Sequence, residues 1–236
     1  MINEATFKIS VGESLQLLKE INILKGKGNK NLGDHSTEFK KISRSNRHTD
    51  IYKTAILNSD YEILIFDDSI FQFGLNDGVL RYAFIQNPQV FLKKEDFISS
   101  IYGPDELLEL SEEELVDLVN SVKEGEYEQF LDEQDINLES HILRYDLDLK
   151  GYRPLVHAYS HIHIGLNSNL RLPCSKILTP LQFVIFSIKH TYYSEWKNAI
   201  FENETMESFL HNSKRKCIDV PNSHWIDKEK FELYLT

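Results

Sequence analysis

Three of the four histidines, both arginines and both aspartates of residues 140–166, SHILRYDLDLKGYRPLVHAYSHIHIGL, fall at alternating positions. Imidazole titrates near neutral pH, guanidinium binds a phosphate or the charge developing on it, and carboxylate orients either group. Such residues side by side can do acid/base work at a phosphoryl centre. A spacing of two is that of a strand, which puts Leu143, Tyr145, Leu147 and Leu149 on one face and Arg144, Asp146 and Asp148 on the other. A two-residue turn at Lys150-Gly151 pairs Leu149 with Tyr152, Asp148 with Arg153, Asp146 with Leu155 and Arg144 with His157. On the return strand Val156, Ala158, Ile162 and Ile164 then take the apolar face, and Arg153, His157, Tyr159, His161 and His163 the polar one. Tyr159-Ser160-His161 lacks strong apolar alternation, so a bulge between His157 and His161 is the weak point of this register.

The expected catalytic set is therefore His161 and His163, with His157, Arg144 and Asp146 beside them, and Arg153 and Arg171 as phosphate contacts. Two histidines at i and i+2 also point the same way and, with Asp146 or His157, could hold a metal with an open position. No Cys or Glu with ligand spacing flanks the pair, so metal-free chemistry is preferred and no cofactor is expected. The plain alternative is that the histidines are solvated side chains on the wet face of a sheet.

Eight basic residues, Lys25, Lys27, Lys30, Lys40, Lys41, Arg44, Arg47 and Lys53, fall within 29 positions. Arg47 and His48 lie where a strand is expected to start, which makes them further candidates for phosphate contact, although a loop that merely keeps the chain soluble would look the same. The opposite charge is concentrated at 105–135, where thirteen carboxylates meet the single base Lys123, a local charge of about −12 against −11 for the whole chain. An acidic helical element of this kind can dock on a basic protein partner or shield the chain's own basic face.

The elements that must position these groups follow from periodicity. Ser10 and Glu13 have capping-box spacing before Val11, Leu15, Leu18 and Ile21, so a helix is expected from about Ser10 to the Gly26/Gly28 pair. Residues 25–46 read as a long polar loop. Segments 48–57, 61–73 and 79–86 are rich in β-branched and aromatic residues and are separated by Asn58-Ser59-Asp60 and Asn76-Asp77-Gly78, which predicts an antiparallel meander. Residues 94–135 return to helical spacing, with a second capping box at Ser111 and Glu114. Thr179-Pro180-Leu181-Gln182 opens a buried helix that runs through FVIFSIKHTYYSEW. After Glu204 come one or two short helices with Phe209, Trp225, Phe231 and Leu233 as anchors. The expected fold class is α+β: one domain, residues 1–236, with a meander sheet of about five strands packed on helices and an acidic helical insertion at about 94–135.

Composition closes off other classes. A chain of 236 residues that is 41% hydrophobic builds a core, so disorder is excluded. Its longest apolar runs, such as Phe183–Phe186, fall far short of the roughly 20 residues that span a bilayer. With only Cys174 and Cys217, and no basic start followed by an apolar run, a reducing cytoplasm is the expected compartment. The net charge of −11 argues against a wholesale nucleic-acid coat but leaves room for a local basic face.

Residues 152–193, with Tyr152-Arg153-Pro154-Leu155, His157, Ser160-His161-Ile162-His163-Ile164-Gly165, Arg171-Leu172-Pro173 and Leu178-Thr179-Pro180-Leu181, resemble the bacterial domain of unknown function family 2290. Ala158 stands where that family's pattern has Pro. RHTDIYKTAI and YEILIFDDSIFQF fit the same family. More distantly the chain is similar to the TumE-type toxin family, through Arg144-Tyr145-Asp146 and the histidines from 157 to 163, which implies a toxin or anti-phage setting with RNA or DNA as target. Neither family supplies an assigned reaction. The string HIHIGL also invites comparison with the histidine-triad nucleotide hydrolases, but Gly165 occupies their third histidine position. The 2H phosphoesterases need two separate His-x-Ser/Thr elements, which His48-Thr49-Asp50 and 160–165 do not supply.

The leading expectation is a cytoplasmic, nucleic-acid-directed, ribonuclease-like effector of a toxin–antitoxin or anti-phage system. The alternative is a non-enzymatic interaction subunit of such an assembly, and a metal-dependent phosphoesterase comes third. The sequence leaves the oligomeric state open.

Overall fold

The computed structural model describes all residues except 1, 29–32, 34, 45–46, 77, 89–92, 134–140, 167–169, 204 and 233–236. The chain is α+β, with eleven α-helices and nine strands among the described residues. They run α1 (Glu4–Glu20), β1 (Leu24–Lys27), α2 (Thr37–Ile42), α3 (His48–Leu57), β2 (Ile63–Ile65), β3 (Ile70–Asn76), β4 (Val79–Ile85), α4 (Lys94–Ile101), α5 (Pro104–Leu108), α6 (Glu112–Ser121), α7 (Glu124–Glu133), β5 (Ile142–Leu147), β6 (Ser160–Ile164), β7 (Arg171–Pro173), β8 (Lys176–Ile177), α8 (Pro180–Thr191), α9 (Tyr193–Glu202), α10 (Met206–Arg215), β9 (Ile218–Asp219) and α11 (Asp227–Glu232). Strands β1 to β7 form one antiparallel sheet in simple sequence order, seven strands rather than about five, and β8 pairs separately with β9. The chain divides into two compact units, Met1–Gln86 with His141–Thr236, and Asn87–Ser140.

In the first unit, one face of the sheet carries the main core. Phe71, Phe73, Tyr82, Phe84, Tyr145 and Ile162 point to the face covered by Phe7, Val11, Leu17 and Leu18 of α1 and Leu181, Phe183, Val184 and Ile188 of α8. Each such aromatic or aliphatic side chain contributes about 1.5–3 kcal/mol when fully buried. The opposite face is covered over β2 to β4 by a smaller cluster of Phe39, Ile51, Tyr52 and Ala55 against Ile70 and Ile85. Further along, over β4 to β7, that face is polar.

Several expectations require correction. Residues 48–57 are a helix, α3: His48, Ile51, Tyr52 and Ala55 are its buried residues, a spacing of three and four that the β-branched composition masked. Helix α1 starts at Glu4, where the Asn3 side chain accepts the Thr6 N–H at 2.8 Å, and it ends at Glu20. Ser10, expected as its cap, lies buried inside it and accepts the Leu181 N–H at 3.0 Å, so it caps α8 instead. The expected loop 25–46 contains most of β1 and all of α2, and the segment 61–73 is two strands broken at Phe66–Ser69. The helix after Thr179 is capped as expected, by the Thr179 hydroxyl accepting the Gln182 N–H, but it breaks at Tyr192 and α9 follows. Among the C-terminal anchors Phe209 and Trp225 pack on the core, Phe231 is exposed, and Leu233 lies outside the described residues.

In the second unit the described part of the acidic stretch forms α5, α6 and α7, and Gln134 and Asp135 lie outside the described residues. The Ser111–Glu114 capping box forms as the spacing predicts. Phe97 meets Phe130 with ring centroids at 5.2 Å and Tyr127 at 6.3 Å, and Lys94 pairs with Glu124 at 2.9 Å. Among the described residues, no helix is long and apolar enough to cross a membrane.

Candidate functional site

The β5–β6 pairing places the expected residues together, but not in the expected register. Arg144 stands opposite His163 and Asp146 opposite His161. The Lys150-Gly151 turn was expected to set Arg144 against His157, six positions away. Asp148 still donates its N–H to the Tyr159 carbonyl, but residues 149–158 bulge out as a loop rather than continuing the ladder. Val156, expected on the apolar face, is exposed, and Tyr159, expected on the polar one, is buried in the core.

The loop is tied down from the C-terminus. Glu229 accepts hydrogen bonds from the Tyr152 hydroxyl at 3.0 Å and the Ile226 N–H at 3.1 Å, and the His224 ring lies 4.7 Å from that of Tyr159. This presents the Ala158 carbonyl to His161.

The two strands continue outward in register. Arg81 on β4 stands opposite Asp146, and Arg171 on β7 stands opposite His163. One polar face therefore carries Arg81, Arg144, Arg171, Asp146, His161 and His163. Sequence alternation alone could have placed Arg81 on a polar face, since it precedes core Tyr82. Its partner strand lies beyond the whole helical unit, so the pairing was not legible.

Asp146 is the hub. Arg144 donates Nε–H to its Oδ2 at 2.9 Å, and His163 Nε2 lies 3.2 Å from the same oxygen. His163 Nε2 is also 3.0 Å from Arg144 Nη2 and 3.0 Å from His161 Nε2. Asp146 Oδ1 is buried without a hydrogen-bond partner, with Arg81 Nε at 3.9 Å. Burial alone would raise the Asp146 carboxyl, but the His163 hydrogen bond and the Arg144 charge outweigh it and hold it below its ordinary value.

His161 is 1% exposed. Burial, then the neighbouring His163, pushes it down to about 4, so its ring is neutral at pH 7. Its Nδ1 sits 2.9 Å from the Ala158 carbonyl, which accepts the Nδ1–H and leaves the Nε2 lone pair facing His163. His161 thus reaches the site only through Nε2, whereas the Arg144 side chain is half exposed and forms its open side.

The other expected residues fall outside this cluster. His157 is on the loop, its ring 4.9 Å from that of His161 and its Nε2 3.7 Å from Asp148. Arg153 is exposed on the same loop, where its backbone bridges that of His157. His48 is buried, with Nε2 2.8 Å from the Gln86 carbonyl at the other end of the β4–β5 ladder, and burial lowers its basicity. Arg47, at the start of α3, lies 3.6 Å from Asp50. Lys30, of the basic run, lies outside the described residues.

Asp146, His161 and His163 each offer one ligand atom, and these atoms all lie within 4.8 Å of one another, a grouping that could hold a metal ion. Two imidazoles and a carboxylate form a donor set found in zinc hydrolases and in non-haem iron sites.

No curated protein and no solved structure matches the chain. A family model described as an uncharacterized conserved protein, DUF2290, matches residues 17–234. That match spans nearly the whole chain, and the protein belongs to the DUF2290 family.

Proposed function

We propose that the protein is a nucleic-acid-directed effector that cleaves phosphodiester bonds at the Arg144–Asp146–His161–His163 cluster, in a toxin–antitoxin or anti-phage setting. The observation that carries this reading is the convergence of Arg144, Asp146 and His163 on one point of a rigid sheet face, with Arg81 and Arg171 on the rows beside it. Guanidinium groups fit the charge of a phosphate and the extra charge of its transition state. Asp146 is the single carboxylate among the paired positions of Arg81, Arg144, Arg171, His161 and His163, so the face is cationic although the chain is acidic. In the proposed step a water oxygen bonds to phosphorus and gives up a proton to solvent, the bond to one bridging oxygen breaks, and that oxygen takes up a proton from solvent.

The test is incubation of the purified chain with end-labelled RNA, single-stranded DNA and duplex DNA, with EDTA or with added divalent ions. Cleavage that Arg144→Ala abolishes supports the reading. No cleavage of any substrate under any condition overturns it.

The interaction-subunit reading draws on a different observation, the acidic helical unit, whose α6 has no buried residue and exposes Val116. A basic protein partner that binds the parent and fails to bind a variant with Glu112, Glu113 and Asp117 changed to Gln or Asn would favour it.

A further inference from the structure

We propose that Asp146, His161 and His163 form a binding site for one divalent first-row transition-metal ion. The inference rests for its purpose on the phosphodiester reading, which it deepens by naming the group that activates the water, but its test stands apart from that reading.

The first argument is distance. Two donors bound to one ion at about 2.1 Å lie about 3.0 Å apart at a right angle and about 3.4 Å apart at the tetrahedral angle. His161 Nε2 and His163 Nε2 are 3.0 Å apart, and His163 Nε2 and Asp146 Oδ2 are 3.2 Å apart. Two of the three edges already have the spacing of a coordination shell, and all three ligand atoms lie within 4.8 Å of one another.

The second argument is proton accounting at His163 Nε2, which has three close neighbours. His161 presents a lone pair, because its Nδ1–H is used on the Ala158 carbonyl. Asp146 presents a carboxylate oxygen and Arg144 an N–H. If His163 Nε2 carries a hydrogen it suits His161 or Asp146 and opposes Arg144; if it carries a lone pair it suits Arg144 and opposes the other two. No neutral arrangement satisfies all three contacts. A cation resolves the conflict, since both imidazole lone pairs and the carboxylate then point at positive charge. The buried Asp146 Oδ1, without a hydrogen-bond partner, adds a second unused acceptor at the same place.

The third argument is the support behind the ligands. Metal-bound histidines characteristically donate their other ring nitrogen to a carbonyl or carboxylate, and metal-bound carboxylates are themselves hydrogen-bonded. The Ala158 carbonyl does the first for His161, and Arg144 Nε does the second for Asp146. Two imidazoles with one carboxylate favour zinc, manganese, iron or cobalt over magnesium or calcium, which prefer all-oxygen sites.

Arg144 is the group that opposes a cation. Its Nη2 must leave His163 when the ion enters, while Nε keeps the guanidinium on Asp146 and Nη2 becomes free for a phosphate oxygen. An ion held there would acidify a bound water enough to supply hydroxide near neutral pH. The flanking Cys or Glu missing from the sequence is not needed, because the third ligand comes from the adjacent strand, directly opposite His161.

The experiment titrates Zn²⁺, Mn²⁺ and Co²⁺ separately into EDTA-stripped full-length protein by calorimetry, with the visible absorption of Co²⁺ as a second readout. The expected result is one ion per chain and a cobalt spectrum of nitrogen and oxygen ligation, with affinity falling at least about 100-fold in Asp146→Asn and in His163→Gln. Thermal melts of the ion-free variants check that they remain folded. Absence of stoichiometric binding by the parent, or unchanged binding in both folded ligand variants, overturns the proposal. Cleavage of nucleic acid at full rate in EDTA overturns it while leaving the phosphodiester reading in place. Ion binding with no cleavage of any nucleic acid does the reverse.

Discussion

Arg144 and His163 face each other across the β5–β6 ladder, with Nη2 3.0 Å from Nε2, while the Nε of the same guanidinium is held by Asp146. One side chain thus touches both other members of the cluster's open side. Lysine keeps the charge but not the two-pronged donor geometry. Arg144→Lys should lower kcat/KM on the cleaved nucleic acid about 100-fold. Because the side chain is half exposed, denaturant unfolding should shift by less than about 1 kcal/mol. An Arg144→Lys variant with parental turnover would remove Arg144 from the chemistry.

Glu62 supplies a pH test of the fold away from the candidate site. Burial pushes its carboxyl up to about 7 from an ordinary value of 4.5, although the Phe73 N–H at 2.7 Å and the Gly33 N–H at 3.4 Å donate to it. The folded state therefore holds a proton that the unfolded state gives up sooner, and stability should fall as pH rises from about 4.5 to 7 and then level off. A shift of that size corresponds to on the order of 3 kcal/mol. Urea melts between pH 5 and 8 should show the decline in the parent and lose most of it in Glu62→Gln, whatever that variant's absolute stability. Parallel pH profiles for the two proteins would contradict the assignment.

Ser10 joins α1 to α8 by accepting the Leu181 N–H, and its own burial keeps water from replacing it. Ser10→Ala should cost about 1–2 kcal/mol by leaving a helix-start donor unsatisfied. Thr179→Ala, which removes the other cap of α8, should cost a similar amount. Denaturant unfolding of the two single variants and the double variant measures both costs and their coupling, and a neutral Ser10→Ala would show that the hydroxyl is dispensable.

Among the described residues, both core clusters of the first unit are built from that unit's own side chains. Replacing 94–133 by a short Gly/Ser link should therefore lower the helical circular dichroism and preserve a cooperative melt of the sheet-bearing unit. Loss of all cooperative structure would mean that the sheet depends on the acidic helices.

Much of the candidate cluster was legible in the sequence for a reason of parity. Strand alternation puts Arg144 with Asp146 and His161 with His163 on common faces, and the true register differs from the expected one by six positions, an even number, so none of these four side chains changed face. The same alternation failed at His157 and Tyr159, which lie in a loop stabilised by Glu229, a contact from the far end of the chain that no local pattern encodes. Helix α3 was legible in principle, through Ile51, Tyr52 and Ala55, but β-branched composition pointed to a strand, and only packing of those residues on Ile70 and Ile85 decided for the helix. What the sequence by itself determined is which residues could share a face, because that follows from the two-residue repeat of the extended backbone. What only the tertiary structure decided is which faces meet: Asp146 beside His161, Arg81 joined to them across the helical unit, and Ser10 under Leu181 all depend on pairings between distant segments, chosen by burial of the whole core and not by any neighbour along the chain.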